Sequence, residues 1–254
     1  MTTSLEQLAD ALDTAQRVVV LTGAGASAGS GIPTFRDALT GHWAKFKPQE
    51  LATPEAFAAD PGRVTRWYDE RRLSVLACEP NAGHEALAAL EQLLQRRGGQ
   101  LTILTQNVDA LHQRAGSTDV VEVHGSLIRW RCTKSGQTQW LDKPEAQGSY
   151  PAPSPKGGRW RPDVVWFGES LPEQAMARVN QVCPACDVYM AVGTSGVVFP
   201  AAGFVEMARQ AGAFTAELNP EQTDVTYAYD VHVAQKSDVC LPELVQMLQS
   251  RQGA

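Results

Sequence analysis

Apolar residues recur along this chain with two different periods. Leu5, Leu8, Leu12 and Ala15 follow at intervals of three and four, which predicts an amphipathic helix over residues 4 to 15. An unbroken β-branched run, Val18-Val19-Val20-Leu21, comes next and reads as a buried strand. Strand-like runs at Val18–Thr22, Leu101–Thr105, Val120–Val123, Val188–Val192 and Ala213–Leu218 are separated by helical patterns, among them His84–Arg97 and Phe204–Gln210. This alternation predicts an α/β fold, a doubly wound, mostly parallel, Rossmann-like sheet with a small inserted module. No internal repeat is visible.

Two stretches interrupt the alternation. Residues 41–80 read as a loop followed by helices at Pro54–Ala59 and Gly62–Leu76. Residues 126–163 are rich in Gly, Pro, Ser, Lys and Arg, yet they hold Trp130, Trp140, Tyr150 and Trp160. Linkers seldom carry so many aromatics, so this stretch is read as a small satellite module. The expected organisation is a single unit: residues 1–40, 81–125 and 164–254 form the Rossmann-like domain, 41–80 a helical insertion and 126–163 the module.

Composition narrows the picture in four ways. With 254 residues, 43% of them apolar, the chain can bury a full core, and no apolar run approaches the roughly 20 residues a bilayer span needs. The segment Met1–Asp13 is polar and acidic, which argues against a secretion signal. A formal charge of −6 disfavours nucleic acid as a partner and suits basic protein segments as clients. Five cysteines without framework spacing imply free thiols in a reducing, cytoplasmic setting. A monomer is expected.

The chemistry begins where the first strand breaks into Gly23-Ala24-Gly25-Ala26-Ser27-Ala28-Gly29-Ser30-Gly31-Ile32-Pro33-Thr34-Phe35-Arg36. Gly23, Gly25 and Ala28 fit the dinucleotide fingerprint in its G-x-G-x-x-A form, in which glycines admit a tight turn and the following helix offers N–H groups to pyrophosphate. Alone this is weak, since a plain strand–turn–helix has the same form. Gly25-x-x-x-Gly29-x-Gly31 also matches the short-chain dehydrogenase turn, but none of the tyrosines has the lysine four positions on that those enzymes use. His124 follows a predicted strand, at the end where open α/β sheets bind ligands, and an imidazole pKa of about 6.5 suits a general base. A structural histidine is the plainer alternative. His42, His84, His112 and His232 have no such setting and are read as structural or surface residues.

The stretch from Gly23 to Arg36 resembles the sirtuin signature. Thr105-Gln106-Asn107-Val108-Asp109, His124-Gly125, Arg161–Glu169, Gly193-Thr194-Ser195 and Asn219-Pro220-Glu221 resemble the remaining sirtuin motifs, in family order. The resemblance implies an NAD-consuming protein-lysine deacylase. Nicotinamide leaves the ribose, the acyl oxygen attacks the carbon it vacates, and a base activates a ribose hydroxyl, giving free lysine, nicotinamide and O-acyl-ADP-ribose. It assigns His124 as that base and Asn107, with Asp109 and Ile32, to the nicotinamide pocket. A helix cap at Asn107 and Asp109 is compatible with the same residues. Gln106 is expected at the ribose, and Phe35 and Arg36 on a loop over the cofactor. Gly23, Ala24, Gly25, Ser27, Gly193, Thr194, Ser195, Asn219, Glu221 and the backbone near Ser237 complete the implied NAD contacts, with ordinary turn chemistry as the alternative for Ser195 and Asn219. Val164, Trp166, Phe167, Gly168 and Glu169 resemble the segment that pairs with an extended acyl-lysine peptide, opposite the loop holding Val197.

Two departures sharpen the expectation. Tyr68-x-x-Arg71 resembles the pair that marks the class III sirtuins acting on succinyl-, malonyl- and glutaryl-lysine. A buried carboxylate needs a fixed cation, and arginine supplies a planar fork and tyrosine a hydroxyl. The plainer reading is a packed tyrosine beside a solvated arginine. Most sirtuins also hold zinc on two Cys-x-x-Cys pairs, whereas here Ser135 stands where the partner of Cys132 belongs and residues 150–156 contain no cysteine. No metal is expected, and Trp130, Trp140, Tyr150 and Trp160 are expected to form an aromatic core in its place. Cys183 and Cys186 are read as structural. ADP-ribosyl transfer, NAD hydrolysis and a non-catalytic NAD sensor are the alternative functions.

Overall fold

The computed structural model describes residues 2–33, 48–146 and 148–252. Its strands, in chain order, are β1 (Arg17–Thr22), β2 (Gln100–Thr105), β3 (Val120–Glu122), β4 (Gly125–Cys132), β5 (Thr138–Trp140), β6 (Trp160–Val164), β7 (Val188–Val192), β8 (Phe214–Leu218) and β9 (Val231–Val233). The helices are α1 (Ser4–Thr14), α2 (Pro48–Leu51), α3 (Pro54–Ala59), α4 (Pro61–Leu76), α5 (Ala82–Arg96), α6 (Leu111–Arg114), α7 (Glu173–Val182), α8 (Phe204–Gln210) and α9 (Ser237–Gln252).

Six strands form one parallel sheet in the order β3-β2-β1-β7-β8-β9. The continuous apolar run of β1 follows from burial on both faces. Val18 and Val20 point into a layer made with Leu8, Leu12, Leu87, Leu90, Leu94 and Leu244 of α1, α5 and α9. Val19 and Leu21 point the other way, toward Val179, Phe204, Val205 and Ala208 of α7 and α8. The five predicted strands are therefore present. The strand β9 was not anticipated, because three residues with His232 in the middle carry no strand-length apolar pattern.

The remaining strands form a three-stranded antiparallel sheet, β5-β4-β6. This sheet does not stand apart from the helical insertion. Leu51, Val64, Trp67 and Tyr68 from the insertion and Leu127, Trp130, Trp160, Val164 and Trp166 from the module side share one core. The expected four-ring aromatic core is corrected accordingly. Trp130 and Trp160 are buried, but Trp140 is 58% exposed, on the outer strand β5, with the Arg129 guanidinium 5.4 Å from its ring. The Tyr150 hydroxyl donates to Asp69 Oδ2 at 2.6 Å instead of stacking in that core.

That carboxylate belongs to a buried clamp. Arg72 Nε donates to Asp69 Oδ1 at 2.8 Å, and both side chains are almost fully buried. The same guanidinium donates to the backbone oxygens of Leu141, Lys143 and Glu145 at 2.8, 2.6 and 2.7 Å. One arginine thus ties helix α4 to the segment after β5, and its removal takes a cation and a hydrogen bond from a buried carboxylate. Arg72→Met is expected to lower unfolding free energy by on the order of 3–5 kcal/mol in urea titrations. Arg209→Ala, which breaks the exposed pair with Glu206, should change it by less than about 1 kcal/mol.

Candidate active site

The sheet order reverses between β1 and β7, so the loops leaving their C-terminal ends diverge and open a crevice. The loop after β1 becomes a short 3-10 helix, Ala24–Ser30, and the loop after β7 begins at Gly193. The two loops pack backbone to backbone. Gly25 N donates to Gly193 O at 2.8 Å, and a Cβ on Gly25 would stand 2.8 Å from Gly193 Cα. Gly193 has φ of 59°, and a Cβ there would stand 2.3 Å from Ala26 N. These glycines serve the loop–loop contact. The expectation that this turn offers free N–H groups to an anion is corrected in part, because Gly25 N is taken by Gly193 O and Ala26 N by Gly23 O.

Beneath the crevice lies a buried polar network. Asn107 Nδ2 donates to Gly23 O and to Ser27 Oγ, each at 3.0 Å. Ser27 Oγ donates to Asp109 Oδ2 at 2.7 Å. His84 Nδ1 accepts from Asn81 N at 3.2 Å, so its proton is on Nε2, which faces Ser27 Oγ at 3.3 Å. Both Asn107 and Asp109 are buried, and Asp109 Oδ1 also receives Leu111 N at the start of α6. Asp109 therefore bonds the first turn of α6 as well as Ser27, while among the described residues Asn107 caps no helix. The donor end of the Asn107 amide is committed inward, so Oδ1 is the atom it can present.

His84 and His112, read from the sequence as structural or surface residues, are structural. Both are buried, with ring centroids 4.8 Å apart, and His112 Nε2 lies 2.9 Å from Thr22 Oγ1. Burial holds the His112 pKa down at about 3 and lowers that of His84. The available signal was local: Asn81 and His84 form a reciprocal capping box, with histidine in the place usually taken by Glu or Gln.

His124 follows β3 at the same edge of the sheet. Its Nδ1 lies 3.1 Å from Gln106 O, and a carbonyl only accepts, so Nδ1 carries the proton and Nε2 keeps its lone pair. Burial lowers its pKa, partly offset by that hydrogen bond. Around the crevice, Gln106 Nε2 donates to Thr194 Oγ1 and Asn219 Nδ2 to Thr194 O, both at 3.0 Å. Ser195 is half-buried, Glu221 exposed, and Ser237 buried at the start of α9. The loop holding Asn219 is anchored by a residue not anticipated, the buried Glu217, which accepts from the Thr223 and Thr226 hydroxyls. Ile32 is half-buried beside the third core, while Phe35 and Arg36 lie outside the described residues.

Next to the crevice, Tyr68 and Arg71 share one face of α4. Tyr68 stacks edge-on against Trp67, ring centroids 4.6 Å apart, and lies 6.2 Å from Trp166. The Arg71 guanidinium stands 4.8 Å from the Trp67 ring and the residue is half-buried, so it is packed on that ring and not a fully solvated arginine. Burial pushes the Tyr68 hydroxyl up to about 12, against the pull of Arg71, and keeps it a neutral donor. Past β6, Val165 N donates to His124 O and Phe167 N to Ala52 O, both at 2.9 Å. Glu169 accepts from Trp166 N and pairs with Arg161 at 2.7 Å. Phe167 and Val197 are exposed, 50% and 56%, Gly168 is exposed, and Val164 is buried.

In the module, Cys132 Sγ accepts from Ser135 N at 3.3 Å and Ser154 Oγ at 3.0 Å. Hydrogen bonding from Ser135 and Ser154 pulls its pKa down to about 6. Gly158 packs so close that a Cβ would stand 2.7 Å from that sulfur. Cys183 and Cys186 are buried free thiols, raised to about 12 and about 11 by burial. No helix among the described residues is long and apolar enough to cross a membrane.

Residues 23–200 match the Sir2 family profile. The chain is 47% identical over 244 residues to NAD-dependent protein deacylase 2 of Pyrobaculum aerophilum, covering 96% of each. It is 48% identical over 226 residues to the NAD-dependent protein deacylase of Deinococcus radiodurans, covering 87% of this chain and 90% of that one. Its structure superposes on that of a Sir2 homolog in complex with NAD with a TM-score of 0.89 at 39% identity, over 97% and 94% of the two chains. An NMR titration of the imidazole resonances should place the His124 midpoint below about 6.5, with Nδ1 protonated in the neutral form. A midpoint above that value would contradict the tautomer and burial argument.

Proposed function

This chain belongs to the Sir2 family, and on that footing we propose an NAD-dependent protein-lysine deacylase that prefers acyl groups ending in a carboxylate. The observation that carries the preference is the Tyr68–Arg71 pair, desolvated in the wall between α4 and the segment after β6. A guanidinium partly withdrawn from water gains more from an anion than a solvated one, and the neutral Tyr68 hydroxyl adds a donor to the same carboxylate. Succinyl, malonyl and glutaryl chains all present that group.

The residues present fit NAD. Five loops bring polar groups to the C-terminal edge of the sheet, and the half-buried Gln106 and Asn219 amides ring its mouth. Ile32, Gln106, Asn107 and Asp109 would hold the nicotinamide-ribose end, and Gly193, Thr194, Ser195, Asn219, Glu221 and Ser237 the adenosine end. Bound there, NAD supplies the ribose carbon to which the acyl oxygen is transferred. His124 Nε2 takes the proton from a ribose hydroxyl, since its lone pair is fixed by the Nδ1 bond to Gln106 and its lowered pKa keeps it neutral at pH 7. Ser27 and His84 hold Asn107 and Asp109 in one arrangement before ligand arrives.

The client peptide is read as extended, between the Val164–Glu169 segment and the loop of Val197. Val165, Trp166 and Phe167 use their N–H groups within the fold, so a client strand here pairs chiefly by donating to carbonyl oxygens. Zinc does not fit the module: one thiolate with two serines does not make a tetrahedral site, and the Cys132 sulfur is already hydrogen bonded. A chelator such as EDTA should leave both melting temperature and activity unchanged, and stoichiometric zinc in the purified protein would refute this.

With NAD and matched acetyl-, succinyl- and malonyl-lysine peptides, mass spectrometry should show O-acyl-ADP-ribose with a preference for the acidic groups. Arg71→Met should cut desuccinylation by roughly 10-fold or more relative to deacetylation, as expected for a lost charge-assisted contact. Equal loss of both activities would remove the selectivity argument, and ADP-ribosylated protein or free ADP-ribose alone would point to transfer or hydrolysis.

A further inference from the structure

Trp166 is 2% exposed, yet its indole Nε1 has no hydrogen-bond partner among the described residues. A buried N–H left without an acceptor is rare in a folded protein and asks for a reason. Its surroundings are specific. The Trp166 ring lies 6.2 Å from that of Tyr68, with 32° between planes, and 5.3 Å from that of Phe57. The N–H is near enough to the Tyr68 hydroxyl to pull its pKa down against burial, though outside bonding geometry.

The ring is held rather than loosely packed. The Arg161 guanidinium covers it, with Cζ 3.2 Å from the ring centroid. Arg161 is itself fixed by Glu169 at 2.7 and 3.0 Å and by Val164 O at 3.0 Å. Glu169 in turn receives Trp166 N at 2.9 Å. A cation on the ring withdraws electron density and strengthens the indole as a donor. The backbone and the ring of Trp166 are thus locked by one ion pair, with the N–H directed toward the Tyr68 side of the wall.

We propose that the Trp166 indole N–H is a third donor to the terminal carboxylate of the acyl chain, beside the Tyr68 hydroxyl and the Arg71 guanidinium. A carboxylate has about four acceptor sites on two oxygens, more than one arginine fork and one hydroxyl fill. Acetyl-lysine has no group to reach this N–H, so the contact contributes only to acidic chains. Trp166 then determines specificity in addition to its place in the client-binding segment. This inference rests on the acid-acyl reading of the pocket.

Trp166→Phe keeps an aromatic ring and removes the donor together with part of the ring volume, a loss of packing that both peptides share. With NAD saturating, the ratio of kcat/KM for succinyl- over acetyl-lysine peptide should fall by roughly ten- to a hundredfold, chiefly through KM, the size expected for one hydrogen bond to a charged group. An unchanged ratio overturns the proposal. Arg71→Met and Tyr68→Phe are measured alongside. If neither lowers the ratio, the acid-acyl reading itself fails; if they do and Trp166→Phe does not, only this inference fails. A second measurement is independent of the variant's activity. In 15N-labelled wild type, the Trp166 indole cross-peak, assigned by its loss in Trp166→Phe, should shift on adding succinyl-lysine peptide and not on adding the acetyl peptide. Equal shifts with both peptides, or none with bound succinyl peptide, would overturn it.

Discussion

Strand β1 is hydrogen bonded on both sides by parallel partners, β2 on one and β7 on the other, and this pairing governs what lies above it. The chain runs outward from β1 through β2 to β3, then returns to start again at β7. No loop can cross the point of reversal, so the sheet must open there. Gly23, Gln106, His124, Gly193 and Asn219 each follow a different strand, and the shared parallel direction delivers all of them to one edge. The tight contact of Gly25 with Gly193 then sets the floor of the crevice, because any Cβ at either position would push the two loops apart.

Polar residues under that floor gain their meaning from one another. Ser27 Oγ accepts from Asn107 and faces the His84 N–H, and it donates to Asp109, so its single proton and two lone pairs are all directed. A fully satisfied buried network has one low-energy arrangement, which is what a site that orients a ligand amide requires. His84 is a positioning residue in this description, acting through Ser27. The same logic fixes His124, whose bond to a carbonyl chooses the tautomer with a basic Nε2.

Helix α4 carries two arginine pairs of equal spacing and different consequence. Asp69 and Arg72 turn toward the segment after β5 and close a structural clamp. Tyr68 and Arg71, one residue earlier, lie on another face, Tyr68 near Trp166 and Arg71 over the Trp67 ring. A rotation of about 100° per residue separates the two faces. The insertion and the module share a single core, so the clamp also steadies the packing of Trp67, Tyr68 and Trp166.

Much of this was legible in the residues alone. Continuous apolar runs reported five strands, four of them buried on both faces, helical spacing reported α1, α5 and α8, and ordered motifs named the family. These are local signals, carried by side-chain periodicity and by small residues at turns. Only the folded chain decided that Trp140 faces solvent on an outer strand, that Arg72 rather than Arg71 is the clamp, and that the donor end of Asn107 points inward. It also decided that His84 belongs to the network beneath the crevice and that the Trp166 indole N–H has no acceptor among the described residues. Each of those outcomes depends on which distant segment closes over a given face, and hydrogen-bond partners separated by tens of residues leave no period in a sequence.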